Sequence, residues 1–240
     1  IFIKDALSGV QGESLSEGRP SMEIILERFP ATLQLGLAAF LFSVVLGVPL
    51  GILSAVKRGG VLDIIGKVLA LVGQSAPTFW LGLMLMFLFA VQLEWLPPYG
   101  RQERTSIILP AITLGWFYVA ANLRLLRSAM LNVLDSEYVK LARAKGVSGK
   151  AVIWKHALRN ALIPVLTFAG ITLGGLVTGS LVVETVFAWP GLGQLAVKAL
   201  IGVDYPLLQA VVVVFTLMYV ICALLVDVMY AYIDPRIRYS

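Results

Sequence analysis

Five long stretches of this chain carry no charged side chain: residues 29–56, 68–93, 105–123, 160–183 and 205–226. Each reaches or exceeds the roughly 18–20 residues that a helix needs to cross the hydrocarbon core of a bilayer. The pattern predicts five membrane-crossing helices. The third is the shortest and extends past Arg124 if that side chain snorkels to the interface. Between the runs the chain is polar and rich in turn formers such as Gly18-Arg19-Pro20 and Pro190-Gly191. Ahead of the first run, Ser21 is placed to cap a short amphipathic helix over residues 22–28, with a plain surface linker as the alternative. The fold class that follows is all-α, a polytopic membrane protein.

Composition supports this. Of 240 residues, 59% are hydrophobic and 14% charged, and the mean hydropathy is +0.88, values foreign to a soluble domain of this size. The formal charge of +5 does not point to nucleic acid, because the cations segregate by loop. Thirteen Lys and Arg lie between runs one and two, between runs three and four, and after run five; six lie elsewhere. The positive-inside rule puts the larger set in the cytoplasm, with the N-terminus outside and the C-terminus inside. Such a start, with no signal peptide and no initiator Met, is the expectation for a chain that lacks a preceding span.

Candidate chemistry inside the runs is sparse. A single cysteine (Cys222) and a single histidine (His156) make neither a disulfide framework nor a His-based metal cluster. With no charge in any run, ion-coupled carriers and proton pumps lose their usual mark. Gln74, Ser75, Thr78, Thr167, Thr172 and Thr178 either face a pathway or bond to nearby backbone. Pro49, Pro77 and Pro164 are expected to kink or break helices. Gly170 with Gly174, and Gly175 with Gly179, allow close helix approach.

The organising stretch is residues 137–164, EYVKLARAKGVSGKAVIWKHALRNALIP. It reads as helix, glycine, helix. Asp135 and Ser136 are placed to cap the first helix, and Glu137 sits in its first turn, where the dipole favours an anion. Tyr138, Leu141 and Ala142 share one apolar face, followed by Arg143, Ala144 and Lys145, with Gly146 as the stop before Val147. Ser148 caps the next helix. On charge alone this is a basic loop that fixes topology.

The string is more specific than that. It resembles the cytoplasmic EAA loop of type I ABC importer permeases, E-A-A-x3-G-x9-I-x-L-P, with Ala142 at the second alanine and Gly146 at the glycine. Lys140 and Leu141 depart from the pattern, and residues 156–159 fill the I-x-L-P slots differently. Those departures resemble the dipeptide/oligopeptide/nickel branch, which carries A-R-A-K-G and H-A-L-R-N-A, here residues 142–146 and 156–161. Further along, Glu184-Thr-Val-Phe187-Ala-Trp189-Pro190-Gly191-Leu-Gly193 is similar to that branch's E-T-V-F-x-x-P-G-x-G segment, and the D-P-R-I-R tail matches as well. Trp189 suits a membrane–water interface.

The resemblance spans nearly the whole chain and implies an ABC transmembrane type-1 domain over residues 29–233. It would follow an extracytoplasmic segment, 1–28, carry a coupling loop at 132–160 and end in a cytoplasmic tail, 234–240. It implies an inner-membrane permease subunit working by alternating access, with six spans in the full-length protein, of which this chain carries five and lacks the first. The implied partners are a second homologous permease, two ATPase subunits that hold ATP and Mg, and an extracytoplasmic solute-binding protein. The chain itself would bind no cofactor or metal and catalyse no reaction. Residues 137–147 would couple to the ATPases. Glu184, Phe187, Trp189, Pro190, Gly191 and Gly193 would dock or gate on the outer side, unless that loop only packs. The branch serves peptides, nickel, glutathione and some sugars; peptides are the expected cargo, though no residue selects it. A secondary carrier is the competing class. Two decoys fall away: Gly191-x-Gly193-x-x-Ala196 lacks a βαβ setting, and Gly149-Lys150 lacks the glycine and Ser/Thr that a phosphate loop requires, holding Ala144 and Ala151 there.

Overall fold

The computed structural model describes residues 12–178 and 180–233; the tail 234–240 and Gly179 lie outside the described residues. Helix α1 spans Ser21–Val56 and α2 spans Val61–Ser75. Helix α3, Thr78–Leu85, continues into a π-helical stretch, Met86–Gln92. A 3-10 turn at Arg104–Ile107 leads into α4, Ile108–Leu134. The short α5 is Glu137–Ala144. One turn at Gly149–Ala151 and a π-helical stretch, Val152–Ala157, lead into α6, Leu158–Thr178. Helices α7, Leu181–Val186, α8, Leu192–Ile201, and α9, Tyr205–Ile233, complete the described chain.

Four of these stretches are long and apolar enough to cross a membrane: Ser21–Val56, Arg104–Leu134, Gly149–Leu176 and Tyr205–Val226. The second predicted run is not one helix. It begins earlier than expected, at Val61, and breaks between α2 and α3, so the pair makes a fifth span only if counted together. Pro77 is the cause. The residue before a proline avoids the α region, and Ala76 is extended (φ −76°, ψ 128°), as is Pro77 itself (ψ 133°), which then serves as the N-cap of α3.

Pro49 and Pro164, expected to act alike, sit inside unbroken helices. Around Pro49 the reason is visible in the packing. A Cβ on Gly47 would lie 2.8 Å from Asn122 Cβ, and one on Gly51 would lie 3.0 Å from the Leu123 carbonyl. The bare backbone there lets α4 lie directly against α1, which continues through Pro49 without a break. The separate helix expected over 22–28 is absent; those residues are the opening turns of α1. The close approach expected at Gly170 is present: a Cβ there would lie 2.5 Å from Val226 Cγ1.

The chain divides into two compact units. One comprises the residues up to Ala39 with Pro77–Leu114 and Leu173–Leu224. Its core joins Ile24 and Ile25 of α1 to Leu192, Leu195 and Ala199 of α8 and to Leu207 and Val211 of α9. The other comprises Phe40–Ala76, Gly115–Thr172 and the residues from Leu225 onward. There Ile52 and Ala55 of α1 pack with Leu126 and Met130 of α4 and with Ala157, Ala161 and Val165 around the start of α6.

Asp204 fastens the start of the described chain in the first unit. It is fully buried and caps α9, accepting from the Leu207 N–H at 3.3 Å. Its other oxygen accepts from the Ser14 hydroxyl at 2.5 Å and the Ser16 N–H at 3.1 Å. Burial pushes its pKa up, but these donors outweigh that and hold it at about 2, below the ordinary 3.8. A depressed carboxylate adds stability above its unfolded pKa and loses it as pH falls through the folded one. Amide hydrogen exchange at Ser16 and Glu17 is therefore expected to be slow at pH 6 and to accelerate in Asp204→Asn at the same pH. Equal protection in the variant would refute the clamp.

Candidate functional site: the 137–147 loop and the Glu184 segment

In the second unit, α5 is a short helix held at one point and open elsewhere. Val139 is its buried residue. Tyr138 and Leu141 remain 43% and 56% exposed. The Tyr138 hydroxyl is nevertheless committed: it accepts from Asn160 Nδ2 at 2.8 Å and donates to the His156 carbonyl at 3.2 Å, pinning α5 to the start of α6. Ser136 occupies the N-cap position, but its hydroxyl donates back to the Val133 carbonyl and does not cap α5. Asp135, the other expected cap, faces Arg58 at 3.5 Å. The expected dipole partner, Glu137, pairs with Lys140 at 2.7 Å.

The exit from α5 is a Schellman motif. The Val147 N–H reaches the Ala142 carbonyl and the Gly146 N–H reaches that of Arg143. Gly146 has φ +81°, the left-handed conformation that favours glycine. No atom lies within 4 Å of where its Cβ would stand. Ser148 then caps the next turn, accepting from the Ala151 N–H at 3.4 Å. Arg143, Ala144, Lys145 and Gly146 are all exposed.

The Glu184 segment belongs to the first unit, and most of its named side chains are enclosed there. Glu184 is 0% and Trp189 1% exposed, and Phe187 is equally buried; Gly191 and Gly193 are also buried, and only Pro190 is partly open. The Trp189 indole is held inside the unit: its Nε1–H donates to the Ala31 carbonyl at 2.8 Å, and the Arg101 guanidinium lies 5.7 Å from its ring centroid.

Glu184 is instead a hub. One oxygen accepts from the Thr32 hydroxyl at 2.8 Å and the Ser180 hydroxyl at 2.7 Å. The other accepts from the Gln194 N–H at 3.0 Å, in the first turn of α8. Thr32 in turn accepts from the Leu192 N–H at 2.7 Å. Two otherwise orphaned N–H groups at the head of α8 are thus satisfied from α1 and α7, and the helix dipole favours the carboxylate there. Both glycines follow from this closeness. A Cβ on Gly191 would come within 2.5 Å of Glu184 Cδ, and one on Gly193 within 2.5 Å of Leu181 Cα.

One cluster in the second unit was hidden from the sequence pattern. Asp63 of α2 is fully buried and meets Arg127 of α4 in a forked pair, Nε to Oδ1 at 2.7 Å and Nη2 to Oδ2 at 3.0 Å. The Ser54 hydroxyl and the Gly59 N–H complete its shell, at 2.7 and 2.9 Å, and Lys67 approaches to 3.0 Å. The helices are therefore not free of charge, because α2 and α4 reach further than the uncharged runs do. The signal available was the spacing of Asp63 and Lys67, i and i+4 on a helix once α2 begins at Val61. Thr167 and Thr172, offered as pathway residues, bond to the Ile163 and Phe168 carbonyls of their own helix. The side chain of Thr178 lies outside the described residues.

Residues 47–239 match the family model described as binding-protein-dependent transport system inner membrane component. The chain belongs to this family. This permease is 45% identical over 239 residues to the glutathione transport system permease protein of Pectobacterium atrosepticum, covering all of this chain and 78% of that one. It is 39% identical to the dipeptide transport system permease protein of Alkalihalophilus pseudofirmus, covering 80% of that protein. Its fold is that of the membrane subunit in an inward-facing methionine ABC transporter, MetNI. The TM-score is 0.75 at 22% identity, covering 90% of this chain and 98% of that one. An amino acid ABC transporter matches at a TM-score of 0.68 and 13% identity.

Because the Glu184 carboxylate serves three donors, Glu184→Ala is expected to cost this permease about 3 kcal/mol, the scale for orphaning buried hydrogen-bond donors. Thermal unfolding in detergent checks this. A midpoint equal to that of the unaltered protein would mean that the hub is dispensable.

Proposed function

We propose that this permease forms one half of the membrane pathway of an ATP-driven importer for small peptides, of dipeptide or glutathione size. The observation that carries the reading is the 137–147 loop. It is a helix anchored by Val139 and the Tyr138 hydroxyl, stopped by Gly146, and open to solvent along Leu141, Arg143 and Lys145. A partner ATPase subunit seated there finds an apolar side chain flanked by cations suited to an acidic rim. The anchor transmits its movement to the start of α6, and the spans exchange between two arrangements as ATP is bound and spent. ATP and Mg belong to that partner, and this chain performs no catalysis. A second permease of the same family completes the pathway, and a solute-binding protein delivers cargo on the opposite side. The C-terminus lies in the cytoplasm, on the side of the coupling loop. Identity to glutathione and dipeptide permeases supports the peptide assignment.

The burial of Asp63 with Arg127 removes one argument against an ion-coupled carrier, since such carriers keep charges within their spans. Here the carboxylate is fully engaged by Arg127, Ser54, Gly59 and Lys67, which leaves it no open coordination for a transported ion.

Gly146→Asp discriminates. The open space around Gly146 means that the variant disturbs no packing of the permease itself, and Asp tolerates the left-handed conformation better than most residues. Peptide uptake into vesicles loaded with ATP is expected to fall at least tenfold, about 1.4 kcal/mol, with the assembled complex recovered in unchanged amount. Undiminished uptake, or uptake by the unaltered protein without ATP, would overturn the reading.

A further inference from the structure

The second unit contains a cavity of about 300 Å³ between α2 and α4, lined by Lys67, Leu71 and Gln74 on one side and by Arg124 and Arg127 on the other. Its charge is unbalanced. Lys67 and Arg127 share the single carboxylate of Asp63, leaving one positive charge in excess. Arg124 adds a second; it is exposed and makes no hydrogen bond or ion pair among the described residues. Gln74, at the far end, supplies an amide.

Depth decides what such a site meets. The Arg104–Leu134 span has 31 residues, about 46 Å at 1.5 Å per residue, which exceeds the roughly 30 Å hydrocarbon core. Arg127 lies seven residues from the end of α4 and Lys67 six from the start of α2, about 9–11 Å along each axis. Both ends fall on the same membrane face, so the cations sit close to the boundary between headgroups and acyl chains. Beyond them α2 presents Val68, Leu71 and Val72, all more than half exposed, with Leu71 at 69%. These positions share one helical stripe, i, i+3 and i+4, leading away from Lys67 into the hydrocarbon.

The geometry points to a binding site for one phospholipid with an anionic headgroup, its phosphate held by Lys67, Arg124 and Arg127 and an acyl chain laid along Val68, Leu71 and Val72. A basic notch at the interface attached to an apolar stripe matches an amphiphile, because the cations attract the phosphate while the stripe excludes a fully hydrated anion. A soluble phosphate or peptide carboxylate would use the cations and leave the stripe idle. The site owes nothing to the cargo, so its failure would leave the importer reading untouched.

The test uses the intact transporter, purified with its partner subunits and exchanged into phosphatidylcholine vesicles with or without phosphatidylglycerol, then released for native mass spectrometry. The unaltered complex is expected to retain phosphatidylglycerol in preference to phosphatidylcholine. Lys67→Gln and Arg124→Gln are each expected to weaken that retention about fivefold, the usual worth of one cation at an anionic membrane surface. Both side chains are exposed; Lys67→Gln removes one pair to Asp63 but leaves the Arg127 fork, whereas Arg124→Gln leaves the whole Asp63 cluster untouched and is the cleaner variant. In parallel, a fluorophore on Leu71→Cys is expected to be quenched more by brominated phosphatidylglycerol than by brominated phosphatidylcholine. Four results would overturn the site: equal retention of the two lipids, unchanged retention in both variants, displacement of the lipid by inorganic phosphate alone, or a Leu71 label reached by neither lipid because another subunit covers it.

Discussion

Every polar group that this chain takes out of water needs a partner inside the protein, and the buried carboxylates are where that constraint is hardest to meet. An ionised carboxylate in an apolar setting is tolerated only when each oxygen is engaged. Glu184 and Asp204 meet it in one way: each sits at a helix N-terminus and takes N–H and hydroxyl donors, with no ion pair to a cation among the described residues. Asp63 meets it in the other, through an arginine fork and a lysine. The difference has structural consequences. A carboxylate satisfied by backbone N–H groups fixes where a helix begins. One satisfied by a guanidinium fixes how two helices face each other.

That division explains the form of the first unit. Helices α7 and α8 are too short to be stable by themselves, and they are joined by a loop that must turn within a few residues. The turn is made by a Schellman motif in which the Trp189 N–H returns to the Glu184 carbonyl, with Ala188 taking the left-handed position at φ +46°. A non-glycine residue there is strained. The surrounding bonds offset that strain: Glu184 binds on both sides of the turn, and Trp189 is enclosed and bonded to α1. The glycines at 191 and 193 exist because the carboxylate and the α7 backbone already fill the space that their side chains would need.

Much of this was legible from sequence, and unevenly so. Long uncharged runs located the spans because hydrocarbon excludes charge, and Gly146 announced its own turn because few other residues adopt that conformation. The run pattern set the helix limits too narrowly, however. A helix end extends past the hydrocarbon, so charged residues such as Asp63, Lys67 and Arg127 belong to the same helices as the apolar runs. Which charges pair across helices depends on rotation and packing, which no single-chain pattern encodes. Proline misled for a related reason. Pro77 follows a residue free to become extended, whereas Pro49 lies where two glycines let α4 press against α1, and tertiary contact overrides the local preference. For Trp189 the side-chain type alone suggested an interface, and it could not reveal that the residue 158 positions earlier, Ala31, offers the acceptor that its indole uses.

The same contrast bears on how movement at the 137–147 loop would travel. A lever must be rigid where it is held and accessible where it is pushed. Helix α5 is eight residues long, below the length at which an isolated helix is stable in water, so its rigidity comes from attachment. The buried Val139 and the Tyr138 hydroxyl supply that attachment, the hydroxyl towards the start of α6, while Leu141, Arg143 and Lys145 remain open. The two bonds of the Tyr138 hydroxyl end on one turn of helix, at His156 and Asn160. Under the proposed coupling role, a push on the exposed face would reach the first turns of α6 through these two bonds. Loss of the tyrosine hydroxyl alone would leave the exposed surface intact and weaken only this transmission, which separates recognition of a partner from the response to it.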